Sequence, residues 1–158
     1  MTTKTAVLAA AAKLIEKDGP ASLSIREAAR RAGVSHNAPY RHFADRDSLL
    51  AALAEQGFKE LEKALEGRRG RELGEAYVRF ALAQPQRFRL MSARRQAAGM
   101  HERFRQAFAG LPDADAAGAA AWALVHGLAQ LLVDGHLEHD EKFVRRVLGA
   151  IRFAQRSA

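Results

Sequence analysis

Residues 23–50 read LSIREAARRAGVSHNAPYRHFADRDSLL, and this stretch decides the fold. Ser24 can cap a helix whose Ile25, Ala28, Ala29 and Ala32 recur at i, i+3, i+4 and i+7, one apolar face. Gly33 stands where that helix must stop, because glycine takes the left-handed conformation without a Cβ clash. Ala29, four residues earlier, is small enough for two helices to cross closely. Val34 can plug the core between them and Ser35 can cap the second helix. The spacing predicts that helix from about His36 to Phe43, starting at His36 or Asn37 because Pro39 is tolerated only in a first turn. This is a helix-turn-helix pattern, whose second helix fits the major groove with its N-terminal residues at base edges. His36, Asn37, Arg41 and His42 supply donors or mixed donor/acceptors there. An ordinary helical hairpin with a glycine turn is the plainer alternative.

Outward from this stretch every signal is helical. A first helix, about Thr3 to Lys17, places Leu8, Ala11, Ala12 and Ile15 on one face and stops at Asp18-Gly19-Pro20. Asp45 can cap a long helix carrying Leu50, Leu53, Ala54, Gly57, Phe58, Leu61 and Leu65, with Gly57 marking a close contact or bend. Gly67-Arg68-Arg69-Gly70-Arg71 comes next, without an apolar residue. Leu73, Ala76, Tyr77, Phe80 and Ala81 mark a further helix stopped by Pro85. Two shorter ones run over Arg87 to Ser92 and Met100 to Phe108. The last two are expected at about Asp115 to Leu137 and Asp140 to Arg156. No strand pattern appears, so the fold class is all-α: a three-helix helix-turn-helix head over residues 1–49 and a helical bundle domain over 50–158.

The chain has 158 residues, a net charge of +7 and no cysteine. Disulfide and thiol chemistry are therefore excluded within it, which fits a reducing cytoplasm. Residues 1–46 hold eight basic and four acidic residues, so the excess positive charge is concentrated beside the helix-turn-helix and favours an anionic partner. No signal peptide is read at the N-terminus, since Lys13 and Glu16 interrupt the apolar run at once. Ala116 to Val133 is close to membrane-spanning length, but its alanines, glycines, His126 and Gln130 read as a buried bundle helix, and no membrane partner is expected.

The residues quoted above carry a resemblance. Lys17-Asp18-Gly19, Leu23 to Ala29, Gly33-Val34-Ser35, Tyr40-Arg41-His42-Phe43 and Arg46-Asp47-Ser48-Leu49-Leu50 together resemble the DNA-binding domain of the tetracycline-repressor (TetR) family over residues 5–53. Three positions depart from that pattern: Ala28 replaces a larger aliphatic, Arg46 replaces a lysine, and Pro39 lies inside the recognition segment. The second half is similar to a TetR-family C-terminal domain with a Trp-His-Gly signature. Ala76-Tyr77-Val78-Arg79-Phe80-Ala81, Pro85 with Phe88-Arg89-Leu90-Met91, and Trp122 to Leu128 carry that likeness, with short connections after Leu65 and Ser92.

The resemblance implies a transcriptional regulator, usually a repressor released from double-stranded operator DNA by a small-molecule effector. His36, Asn37 and Arg41 are then expected near base edges, Asn37 pairing bidentately with adenine. Ser24, Tyr40, His42 and Arg46 are expected at phosphates, with Arg26 and Ser35 completing the DNA-binding set. A ligand cavity is implied near Phe58, Phe80, Phe88, Met91, Phe104 and Trp122, with His126 or Gln130 as its polar contact. Trp122, Val125, Ala129, Leu132 and Val133 on one terminal helix, and Phe143, Val144, Val147, Leu148 and Ile151 on the other, are expected to form a homodimer interface.

Two other classes stand beside this reading. An architectural DNA-binding protein would use the same head without an effector. A small metal-dependent enzyme would use His136-Leu137-Glu138-His139-Asp140, although that cluster also suits a polar turn between helices. No phosphate loop, nucleophile elbow or His-Glu-x-x-His occurs, so no catalytic residue, cofactor or metal is assigned.

Overall fold

The computed structural model describes residues 2–94 and 98–150, and among these the regular structure is helical, with no strand. Among the described residues eight α-helices succeed one another: α1 (Thr3–Asp18), α2 (Ile25–Arg31), α3 (Arg46–Leu65), α4 (Gly70–Ala83), α5 (Pro85–Ser92), α6 (Ala98–Ala107), α7 (Ala114–Val133) and α8 (Glu141–Ala150). Two 3₁₀ turns, Pro20–Ser22 and Ala38–Arg41, lie either side of α2. The expected end of the last helix at Arg156, and Ile151 with it, lie outside the described residues.

The chain divides into two compact units. One holds Met1–Lys59 and Gln84–Arg94, the other Glu60–Ala83 and Arg95–Ala158. This differs from a division at residue 49 or 50, because α5 joins the first unit although α4 precedes it in the second.

In the first unit, Thr2 caps α1 by accepting the Thr5 N–H, and Gly19 (φ 77°) ends it. Val7, Ala11, Leu14 and Ile15 are buried along its inner face, with Ala28 and Ala29 from α2 and Phe43, Leu49 and Leu53 beyond. Asp45 caps α3: its carboxylate accepts the Ser48 N–H at 2.7 Å while Ser48 Oγ accepts the Asp45 N–H at 3.1 Å. This reciprocal arrangement satisfies two donors at one helix start. Gly57 on α3 meets α5, where an added Cβ would stand 2.5 Å from Met91 Sδ. At the start of α5, Pro85 has no N–H and the Gln84 side chain gives no cap. Glu16 from α1 fills that role, accepting the N–H groups of Gln86 (3.2 Å) and Arg87 (2.8 Å). At its other end Arg94 pairs with Asp47 at 2.7 Å.

In the second unit, Leu73, Ala76, Tyr77, Phe80 and Ala81 of α4 pack with Met100 and Phe104 of α6 and with the inner face of α7. By length and composition α7 is apolar enough to cross a membrane, but it carries the buried Ala121, Val125, Leu128, Ala129 and Leu132 of this core. Val125, Ala129 and Leu132, expected at a dimer interface, are thus inside the chain, as is Val144 on α8. Their helical spacing reports the subunit's own core. Trp122, Val133, Phe143, Val147 and Leu148 keep partial exposure. Asp140 caps α8, accepting the Lys142 N–H at 2.9 Å.

The closest approach in this unit is between α6 and α7. A Cβ on Gly118 would lie 2.6 Å from the Cα and the backbone nitrogen of Arg105. Backbone cannot swing aside as a side chain can. Gly118→Ala should therefore lower stability by roughly 1–3 kcal/mol through overpacking, although alanine in place of a mid-helix glycine ordinarily stabilises by about 0.5–1 kcal/mol. Urea unfolding of the two proteins measures the difference. An unchanged or higher midpoint would show that the crossing does not depend on this glycine.

Candidate nucleic-acid interface

The turn of the helix-turn-helix begins where α2 stops. Gly33 (φ 68°) turns the chain, and the Val34 N–H returns to the Ala29 carbonyl at 3.1 Å. His36 and Asn37 lie in a turn, and the element after it is shorter and tighter than the helix expected over His36–Phe43. It is the 3₁₀ turn Ala38–Arg41, closed by Ala38 N–H to Ser35 O (3.0 Å) and Tyr40 N–H to Asn37 O (3.3 Å). Pro39 is the physical reason. It has no N–H to offer the preceding turn and its ring crowds that turn, so regular i→i+4 bonding cannot run through it. One bond of the α type survives, from Phe43 N–H to Pro39 O at 2.9 Å. Pro39 and Phe43 are buried and anchor this element.

What it exposes is polar. Ser35, His36, Asn37, Arg41 and His42 are all exposed, and Tyr40 retains 43% of its surface. His36 Nδ1 lies 2.8 Å from Asn37 Oδ1. Ser24 occupies the N-cap position of α2, but its side chain makes no cap hydrogen bond. Its hydroxyl is left exposed near the helix start, where an anion is favoured.

Arg46, expected at a phosphate, is already engaged within the chain. Its Nε donates to Leu23 O at 3.0 Å, and Nη2 donates to Pro20 O at 2.7 Å and Ala21 O at 3.2 Å. A planar fork that joins three carbonyls of the α1–α2 connection acts as a staple, leaving Nη1 for anything outside. Arg30 and Arg31 are likewise engaged, both donating to Glu27. The Arg30 and Arg31 hydrogen bonds hold the Glu27 carboxyl down to about 2, so this acid stays ionised beside them. Arg26 and Arg41 form no ion pair among the described residues.

The residues expected around a ligand cavity divide between the units. Phe88 and Met91 are core of the first unit, where Phe58 is half-buried; Phe80, Phe104, Trp122, His126 and Gln130 belong to the second. An apolar cleft of about 140 Å³ in the second unit is lined by Phe104 together with Leu73, Phe108, Leu124, Val125 and Leu148. A larger cleft of about 300 Å³ is lined by Glu75, Val78, Arg79, Leu82, His139 and Arg145, none of them in the expected ligand set. Phe104 alone of that set lines either one. Gln130 is occupied locally, donating to Asp134 Oδ2 at 2.7 Å. His126 pairs with Tyr77, whose Oη lies 2.9 Å from Nδ1. Spacing marks Tyr77 only as core, although a tyrosine on a buried helical face signals the need for such a partner. Trp122 Nε1 is buried near the same phenol without hydrogen-bonding geometry. Among the described residues no three histidine, aspartate or glutamate side chains are grouped to hold a metal ion.

Comparison with known proteins bears on the family and the fold. Residues 7–53 match the family model described as bacterial regulatory proteins, tetR family. Residues 71–151 match the model described as tetracyclin repressor-like, C-terminal domain. An HTH-type transcriptional repressor of Mycobacterium tuberculosis is 38% identical over 60 residues, 38% of this chain and 32% of that protein. The chain thus aligns with about a third of the length of such curated relatives. A solved structure from Rhodococcus sp. RHA1, of a protein with unknown function, is 35% identical, with a TM-score of 0.75 over 95% of this chain and 91% of that one. A TetR-family transcriptional regulator from Haemophilus influenzae, 15% identical, shares the fold at a TM-score of 0.69 over 94% of this chain and 93% of its own.

The Tyr77–His126 pair should make the stability of the second unit depend on pH. Burial pushes the Tyr77 phenol up to about 12, and burial pushes the His126 imidazole below its ordinary 6.5. A histidine that binds protons less well when folded adds stability above its unfolded value and loses it as pH falls below 6.5. Melting temperature should therefore drop between pH 7.5 and pH 5, and drop less in His126→Gln. Equal slopes for the two proteins would exclude His126 as the responsible group.

Proposed function

Since the chain belongs to the TetR family of DNA-binding transcriptional regulators, we propose that it is a repressor that binds a roughly palindromic operator as a homodimer and leaves it when a small effector binds. The family is one of non-enzymatic regulators, so the metal-enzyme alternative falls away. The observation that carries the proposal is the exposed set His36, Asn37, Tyr40, Arg41 and His42, presented on a proline-fixed element directly after the Gly33 turn. Such a short rigid element can enter a major groove, where His36, Asn37 and Arg41 read base edges. Tyr40, His42, Ser24 and Arg26 contact phosphates and fix the register, while Ser35 supports the turn. Arg46 acts mainly by positioning the α1–α2 connection.

The outer face of α7 supports the dimer. Ala116, Ala119, Ala120, Ala123 and Leu131 are exposed, and Leu131 keeps 43% of its surface in water. Trp122 and Val133, with Phe143, Val147 and Leu148 on α8, extend that apolar surface. A palindromic operator read by such a dimer would present its half-sites about one DNA turn apart, roughly 34–36 Å.

For release, the effector must bind the non-operator form more tightly than the operator-bound form, since equal affinity shifts nothing. The clefts of the second unit supply candidate volume. The Trp122, His126 and Gly127 positions keep the Trp-His-Gly likeness as part of this reading, although His126, paired with Tyr77, lines neither cleft. A protein that works on operator DNA works in the cytoplasm, and the reading calls for neither cofactor nor metal.

Selection from a random duplex pool should return a two-fold symmetric sequence. Tyr40→Phe should weaken binding to all members of the selected set about equally; a changed base preference would remove Tyr40 from the phosphate contacts. Leu131→Arg should convert the dimer to monomer in light scattering and abolish tight operator binding. A wild-type chain that stays monomeric at micromolar concentration yet binds a palindrome tightly would refute the dimer.

A further inference from the structure

A hydrogen bond inside the reading element alters what that element can recognise. His36 Nδ1 and Asn37 Oδ1 are 2.8 Å apart. An amide oxygen only accepts, so the proton of this bond sits on Nδ1. Both residues are exposed, and neither is held in place by burial. The backbone fixes Asn37 instead, with φ −89° and ψ −15° and its carbonyl accepting the Tyr40 N–H at 3.3 Å. The His36 ring in turn stands beside Tyr40, the centroids 6.1 Å apart and the planes tilted by 56°.

An asparagine reads adenine by using both ends of its amide, Oδ1 accepting from N6 and Nδ2 donating to N7. Here Oδ1 already accepts from imidazole, which occupies one of its two lone pairs and weakens it as an acceptor for a base. Nδ2 carries two hydrogens and is the end left fully free for the base. Guanine presents two neighbouring acceptors, N7 and O6, on its major-groove edge, whereas adenine offers one acceptor beside a donor that Nδ2 cannot satisfy. We infer that His36 sets the base specificity of Asn37, turning a side chain suited to adenine into a donor that selects guanine. The inference rests on the operator-reading proposal above and adds the residue that decides one base of each half-site.

Selection from a random duplex pool with the full chain tests it, comparing wild type with His36→Ala, Asn37→Ala and Asn37→Asp. Wild type should select guanine at one position of each half-site, and Asn37→Ala should lose preference there alone. His36→Ala frees Oδ1 and should move that same position to adenine by about fivefold or more. Asn37→Asp, whose carboxylate only accepts, should move it to cytosine, which keeps the inference testable if His36→Ala binds too weakly to select. Adenine at the Asn37-dependent position in wild type, or an unchanged guanine in His36→Ala, would overturn the inference while leaving the operator reading intact. Failure of wild type to enrich any sequence would instead overturn the operator reading, and this inference with it.

Discussion

The carboxylate of Glu16 accepts two backbone N–H groups that lie 70 and 71 residues further along the chain. The rest of the first unit depends on this contact. Helix α5 is eight residues long, opens on a proline and has no side-chain cap of its own. A helix so short does not persist in water by itself, because nucleation is costly and few intrahelical bonds repay it. Glu16 satisfies its first-turn donors and puts a negative charge where the helix dipole favours one. Phe88 and Met91 are then buried, and Arg94 reaches Asp47 at the start of α3. Helix α5 then packs on α1 and on the Pro20–Ser22 turn and closes that side of the first unit's core.

How much of this is legible in the sequence depends on how local each signal is. The stop at Gly19, the Asp45 cap and the Gly33 turn are written within four or five residues, and each stands where the sequence places it. The length of the reading element is not so written. Tyr40 and Phe43 are three apart, a spacing that suits an α-helix and a 3₁₀ turn equally, and Pro39 decides between them only through hydrogen bonds it cannot make. The internal bonds of Arg46 go unread for another reason. An arginine that staples three carbonyls and one that faces a phosphate look alike in sequence, since both stand among polar neighbours. The return of α5 to the first unit rests on Glu16, on α1, far from any residue of α5 in the chain.

Helix α7 shows where periodicity runs out. It is apolar nearly all round, so every stripe along it satisfies the helical pattern. Val125, Ala129 and Leu132 form one such stripe and are core; Ala116, Ala120, Ala123 and Leu131 form another and are exposed. What separates them is how closely the facing helix α6 can approach, and Gly118 on α7 marks that approach. A residue with no side chain lets α6 approach to backbone contact, which fixes the rotation of α7 and hence which stripe turns inward. That information lies in a pair of helices, and one helix read alone does not contain it.

The charge of the head is also less uniform than its composition suggests. Residues 1–46 hold twice as many basic as acidic residues, but Arg30 and Arg31 both donate to one ionised Glu27, and most of the Arg46 fork is turned to carbonyls. Exposed pairs of this kind hold geometry while adding little to stability. They also reduce the positive field exposed along α2, while Arg26, Arg41 and Arg46 form no ion pair among the described residues. A surface that attracted DNA by charge alone would leave its arginines unpaired. Here the side chains set out in the open are those whose hydrogen bonds have direction: a serine hydroxyl at a helix start, an amide beside an imidazole, and a phenol on a buried proline turn. Such groups discriminate by geometry at short range, whereas net charge gathers any duplex alike.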